Sequence, residues 1–220
     1  RVYDERGSNE IYEYFNSKPP CYTYSYSMYK AITKEPTVLT KYFYYPYFTH
    51  LNEEELIEYA EITKQLFRNY DPKTGEFNEF GKRLLIKRKR IVNKAENKIE
   101  VLKTIFSEVK NKESNLKYTF VYVPEGIETN YADSDFYQID NEDRRLIDKY
   151  AEAISSFGYS THKLLADTQN RNRVLNQFEK GLIDVLLAMK ILDEGVDIPI
   201  TKNAIFCSST GNPRQYIQRR

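Results

Sequence analysis

Residues 183–199, called the opening stretch below, read IDVLLAMKILDEGVDIP. Its first part, 183–188, is a short apolar run with the length of a buried β-strand. Its second part places Glu194 and Asp197 on either side of Gly195 before Pro199 closes the segment. In parallel α/β sheets, ligands gather where such loops leave the carboxyl ends of strands. The stretch therefore indicates a ligand site.

The surrounding sequence alternates apolar runs with amphipathic helices. Further strands are predicted at 118–123, 160–165 and 203–207. One helix is predicted to end at Gly158, and a second to be capped by Asp167 and followed by Gly181. This order predicts right-handed crossovers and a parallel sheet with helices on both faces.

The first 80 residues are predicted to form an appendage with short strands and a helix. A short helix capped by Ser8 or Asn9 comes first, and an alternating tyrosine run at 21–26 predicts a strand. Residues 42–48 are a second aromatic run, predicted to be extended. Exposed aromatic rows can stack nucleic-acid bases, but we interpret these rings as packing the appendage and spanning its surface.

A helix is predicted from residue 53 to about residue 70, because three glutamates follow Asn52 and favour a helix N-terminus. Residues 71–75 are typical of a turn. The predicted buried positions are Leu56, Tyr59, Ala60, Thr63, Leu66 and Phe67.

Residues 82–112 are predicted to form one long amphipathic helix that leads the second domain, 81–220. This segment carries eleven Lys or Arg against three Glu, a net charge of +8. It is either a solvated helix face or a phosphate-contacting surface centred on Lys87 and Arg88.

Composition limits the classes of protein to which the chain can belong. The 220 residues carry a net charge of +1, so only local clusters of positive charge can indicate nucleic-acid binding. Cys21 and Cys207 are far apart with no ligand-spaced partner, so neither a disulfide scaffold nor a metal site is predicted, and a reducing cytoplasm fits best. No apolar run has the length of a membrane span.

Residues 186–199, with 214–220 after the next strand, resemble motifs V and VI of superfamily-two helicases of the DEAD/DEAH type. The closest resemblance is to the branch related to the translocating subunits of type I and type III restriction enzymes. Residues 118–126 are similar to motif IV, and 166–181 look like the family's phosphate-side loop and helix. The first residues are similar to the segment that follows motif III.

The resemblance implies one half of a two-domain motor. In this family, two RecA-like domains close on ATP, and the first holds the phosphate-binding loop and the acidic Mg²⁺ motif. Neither motif is present here. The resemblance therefore implies the second RecA-like domain, truncated at motif VI, and this chain alone is expected to be inactive. ATP and Mg²⁺ would be held mainly by the first domain.

The resemblance also assigns roles to residues of the opening stretch. Gly195 would let the backbone approach the nucleotide, Asp197 would bond the ribose or motif VI, and Glu194 would fix the loop. Gln218 and Arg219 match the start of motif VI. The alternative for the first three is a capped strand-to-helix turn.

Two nucleic-acid contacts are implied beside that loop. Many relatives have Ser or Thr where this chain has Met189, and a thioether is a poor partner for a phosphate. Lys190 could substitute as a point charge. Thr168 is either a second phosphate contact or a turn residue.

The expected function is that of a motor-domain fragment of an ATP-dependent DNA helicase or duplex-DNA translocase. Expected partners are DNA in preference to RNA, the protein's own N-terminal RecA-like domain, and restriction or repair subunits. The alternative is a non-catalytic RecA-like module for docking or nucleic-acid binding.

Overall fold

The computed structural model describes residues 5–17, 27–36, 38, 41–111, 115–124, 141–165, 168–189 and 198–208. The chain divides into two compact units, Arg1–Pro46 and Tyr47–Arg220. Within the described ranges, every helix is too short or too polar to cross a membrane.

The first unit contains two short helices, α1 (Glu5–Tyr14) and α2 (Met28–Thr33). The predicted cap at Ser8 or Asn9 is wrong, because both residues lie inside α1. At α2, the Ser27 side chain accepts a hydrogen bond from the Lys30 amide, at 3.2 Å. The strand predicted at 21–26 lies outside the described residues.

The aromatic run at 42–48 has no regular secondary structure. Its most exposed rings lie on the surface rather than in a core. Phe43, Tyr44, Tyr45 and Phe48 are between 72% and 87% exposed. A run in which nearly every residue is aromatic has no period that could turn one face inward.

The second unit begins with a helical hairpin. Helix α3 (Glu53–Arg68) starts at a capping box, in which the Asn52 side chain accepts the Glu55 amide and the Glu55 carboxylate accepts the Asn52 amide. Strands β1 (Tyr70–Asp71) and β2 (Glu76–Phe77) then lead into α4 (Glu79–Lys94). The predicted turn at 71–75 is confirmed by a hydrogen bond from the Gly75 amide to the Asp71 carbonyl.

A small core holds this hairpin together. It consists of Ile62, Leu66 and Leu84, with Phe77, Leu85 and Ile91 packed against them. The predicted α3 stripe is partly wrong, because Leu56 and Phe67 are 56% and 78% exposed. Helix α4 covers a neighbouring side of α3, so the buried face is rotated away from the predicted one.

The single helix predicted over 82–112 is wrong: α4 ends at Lys94, and α5 (Asn97–Asn111) follows. Ala95 between them has non-helical backbone angles, φ −46° and ψ 123°, and is buried. The break lets Leu84 pack on α3 while Leu102 and Phe106 join the core of the sheet. The basic residues are concentrated on α4, which has seven Lys or Arg and one Glu.

The core of the second unit is a four-stranded parallel sheet in the order β4-β5-β3-β6. Its strands are β3 (Thr119–Tyr122), β4 (Thr161–Leu164), β5 (Val185–Ala188) and β6 (Asn203–Phe206), and its remaining helices are α6 (Asn141–Ser155) and α7 (Arg171–Glu179). The four strands predicted for this sheet are confirmed.

Helices pack on both faces of this sheet, because neighbouring residues of a strand point to opposite sides. Val121, Val185 and Leu187 pack in one core with side chains of α5 and α6. Phe120, Leu186 and Ala188 pack in a second core with Val174 and Phe178 of α7. The predicted α/β class, with a parallel sheet covered on both sides, is confirmed.

The two predicted glycine stops are confirmed, but one predicted cap is wrong. Gly158 and Gly181 have positive φ angles of 90° and 71° after their helices. Helix α7 starts after Asn170, not Asp167, because Asn170 has left-handed backbone angles that delay the helix. Gly181 is also restricted by space, since a Cβ there would lie 2.8 Å from the Tyr118 hydroxyl.

Candidate nucleotide and nucleic-acid site

The candidate site lies at the carboxyl edge of the sheet. Ala188 is the last residue of β5, and it pairs with Leu164 of β4 and with Tyr122 of β3. The three strands therefore end level with one another. The rest of the opening stretch begins at this edge, because it follows β5, which lies between β4 and β3. In a doubly covered parallel sheet, this edge is where ligands bind.

Six of the predicted site residues lie outside the described part of the chain. They are Lys190, Glu194, Gly195, Asp197, Gln218 and Arg219. Their predicted roles stay predictions. The structure does show the point at which the segment 190–197 leaves the sheet.

Thr168 lies just after the carboxyl end of β4 and is half-buried. Its hydroxyl oxygen accepts the Leu165 amide at 2.7 Å, and its own amide donates to the Leu165 carbonyl at 3.0 Å. These bonds close a tight turn, as the alternative interpretation of this residue requires. The hydroxyl proton is not used in either bond, so the same side chain can still donate to a phosphate oxygen.

Met189 is a core residue, only 1% exposed. Its side chain belongs to the cluster that α5 and α6 form against the sheet, with Leu187 and Ile147. Its amide contacts the Leu164 carbonyl at 3.4 Å. Met189 is therefore an apolar side chain in an apolar environment.

Lys87 and Arg88 of α4 each contact a side chain of α3. The Lys87 ammonium pairs with the Glu58 carboxylate at 2.9 Å. The Arg88 guanidinium lies over the Tyr59 ring, 5.4 Å from its centroid. The two neighbouring cations therefore have different environments, one matched by a carboxylate and one by an aromatic face.

A polar cluster that the sequence did not indicate lies just beyond β6. Burial raises the pKa of the Cys207 thiol to about 12, against the opposing effects of Lys98 and Tyr150. Burial also lowers the pKa of Lys98, whose ammonium donates to the Asn93 carbonyl at 2.9 Å. No spacing in the sequence links these three residues, because α5, α6 and β6 meet only through the tertiary fold.

A comparison with protein families agrees with this architecture. The model of the helicase conserved C-terminal domain matches residues 97–220. The match begins with α5 and continues through the whole sheet and the opening stretch. This chain belongs to the helicase conserved C-terminal domain family.

The match to an individual curated relative is shorter. A DNA 3'-5' translocase, XPB2 of Sulfurisphaera tokodaii, is 38% identical over 53 residues. That match covers 24% of this chain and only 12% of the curated relative.

Two solved structures are also similar. The C-terminal domain of the DEAD-box protein Dbp5 is 19% identical, with 56% of this chain and 60% of that chain covered and a TM-score of 0.41. The Hef helicase domain of Pyrococcus furiosus is 21% identical, with 76% and 31% covered and a TM-score of 0.39.

Proposed function

We propose that this chain supplies the second RecA-like domain of an ATP-dependent motor that moves on DNA. The motor would be a superfamily-two helicase or duplex-DNA translocase of the restriction-enzyme-translocase-like branch. The domain would comprise residues 81–220, with residues 1–80 as its preceding appendage. ATP and Mg²⁺ would be held mainly by a first RecA-like domain.

One observation carries this proposal: the part of the opening stretch that follows Ala188 leaves β5 at the carboxyl edge, level with the ends of β4 and β3. At this edge, Gly195 would admit the nucleotide backbone and Asp197 would bond the ribose or motif VI. Gln218 and Arg219 would begin motif VI. Charge on the transferring phosphate would be stabilised by arginines of that motif.

On the DNA side, Thr168 would donate its hydroxyl proton to a phosphate while its oxygen accepts the Leu165 amide. Lys190 would contribute a point charge beside it. Met189, buried with the α5 and α6 side chains, would support the strand end instead of touching the polymer. Domain closure on ATP would change the grip of these groups on the backbone, and reopening would advance the strand by a step.

Movement itself is the property to test. In a triplex-displacement assay, the full-length protein should release a third strand from duplex DNA when ATP is present. A non-hydrolysable ATP analogue should give no release, and a duplex of RNA should be a poorer track. Release without hydrolysis, or none with ATP, would favour the non-catalytic docking module instead.

A further inference from the structure

A cleft on the helical hairpin lies outside the site described above. It is formed where the C-terminal half of α3 meets the β1–β2 turn and α4. Its lining is mostly apolar and includes one guanidinium, and it consists of Thr63, Leu66, Phe67, Tyr70, Phe77 and Arg88. Phe67 is 78% exposed and Tyr70 is 43% exposed. Exposed rings beside a cleft are typical of a binding surface.

The aromatic rings of this cleft are held in place from below. The Tyr70 and Phe77 rings contact each other with centroids 5.1 Å apart. Phe77 also packs against the small core of Ile62, Leu66 and Leu84. The cleft therefore has a rigid floor, while the Phe67 ring projects into solvent from the last turn of α3.

The end of α3 that lines the cleft is basic, although α3 as a whole is acidic. All five glutamates of α3 fall between residues 53 and 61, whereas Lys64 and Arg68 are in its last five residues. Lys64 is three residues before Phe67 and therefore neighbours it on the helix surface, while Arg68 is the last residue of the helix. The end of α3 at the cleft is therefore the basic end.

Arg88 adds a cation at the rim of the cleft. Within the described residues no carboxylate pairs with it, and its guanidinium lies over the Tyr59 ring instead. Of the carboxylates on the neighbouring elements, which also include Glu76 of β2, two have a partner. Glu58 pairs with Lys87, and Asp71 accepts the Lys73 amide at 2.8 Å.

We propose that this cleft is an accessory binding site for single-stranded nucleic acid. Bases would stack on Phe67 and Tyr70, and the phosphate backbone would be neutralised by Arg88 with Lys64 and Arg68 beside it. Aromatic faces beside cations bind single strands without sequence preference. A duplex would not fit, because its bases are already stacked on one another. The site does not depend on the proposed ATP-driven movement.

Fluorescence anisotropy of the 220-residue chain with a labelled oligothymidylate, without nucleotide, tests this proposal. Phe67→Ala should weaken binding about fivefold or more, in line with the loss of one stacked base. Phe67→Tyr keeps a ring and should bind like the unmodified chain. Phe80→Ala is the matched control, since Phe80 is 55% exposed but does not line the cleft.

Arg88 and Lys87 form a second matched pair. Arg88→Ala should weaken binding and reduce its salt dependence, while Lys87→Ala, which removes a cation already paired with Glu58, should have little effect. Equal losses in the two variants would overturn the proposal. So would unchanged binding by Phe67→Ala, or equal affinity for a duplex. If these binding results are obtained but the triplex assay shows no strand release, the proposed motor function is contradicted and the accessory site is not.

Discussion

The carboxylate of Glu55 accepts the backbone amide of Glu96 at 2.9 Å, although the two residues are 41 positions apart. The same carboxylate accepts the Asn52 amide in the capping box of α3. Close by, the Asn97 side chain donates to the His50 carbonyl at 2.8 Å. The start of α3 is thereby joined to the break between α4 and α5, which fixes the hairpin on the helicase domain.

Glu55→Ala should lower the free energy of unfolding by about 1–3 kcal/mol, because it removes a helix cap and leaves the Glu96 amide without its acceptor. Urea denaturation measures this loss, and hydrogen exchange at the Glu96 amide should accelerate. Glu54→Ala removes a neighbouring first-turn charge and is the control. Equal losses in the two variants would show that the contact to Glu96 contributes nothing.

Asp184 joins the amino ends of three strands. Its carboxylate accepts the amide and the hydroxyl of Ser160, each at 2.9 Å, and lies 3.3 Å from the Lys117 ammonium. Burial alone would raise the pKa of Asp184, but the Ser160 hydrogen bonds and Lys117 outweigh it and lower the pKa. A lowered pKa in the folded state means that this stabilisation is present above the unfolded pKa and is lost as the pH falls through the folded one.

Asp184→Asn should therefore cost about 1–2 kcal/mol of unfolding free energy at pH 7. The cost should shrink as the pH falls below 4, because the Asp184 carboxyl of the unsubstituted chain then also becomes neutral. Chemical denaturation between pH 7 and pH 3 gives both numbers. Asp148→Asn, which removes an exposed pair with Lys163, should cost less than about 1 kcal/mol. A cost for Asp184→Asn that is independent of pH would contradict the assignment.

Met189→Thr tests whether this position packs in the core or contacts DNA. Because Met189 is buried among apolar side chains, the change should lower the free energy of unfolding by about 2–4 kcal/mol. Met189→Leu keeps the volume and should cost less than about 1.5 kcal/mol. Tighter DNA binding by Met189→Thr with unchanged stability would instead show that the position faces the polymer.

The Cys207 thiol should be inert in the folded chain, since burial raises its pKa to about 12 and the thiolate is the reactive form. Iodoacetamide at pH 8, with peptide mapping to distinguish Cys207 from Cys21, measures the rate. Alkylation of Cys207 should be slow in buffer and fast in urea. Equal rates in the two solvents would show that the thiol is accessible.

The sheet was predictable from the sequence, but its strand order was not. Each strand is a local apolar run, such as Val185–Ala188, and the runs alternate with helices in chain order. The pairing of β3 with both β5 and β6 joins residues more than 60 positions apart, which no local pattern specifies.

The helix break and the cleft were missed for the same physical reason. The apolar period of the basic segment continues through Ala95, and the break is fixed by Glu55 from another helix. Likewise, the different environments of Lys87 and Arg88 depend on Glu58 and Tyr59 of α3. Adjacent cations look equivalent in a sequence until tertiary contacts distinguish them.

The central claim is that the opening stretch forms half of an ATP site, and the DNA-stimulated ATPase activity of the full-length protein tests it most directly. Asp197→Ala should reduce that activity by about a hundredfold, as expected for loss of a polar contact in a closed active site. Asp148→Ala, a surface change on α6, should leave it unaltered. Undiminished activity in Asp197→Ala would contradict the account.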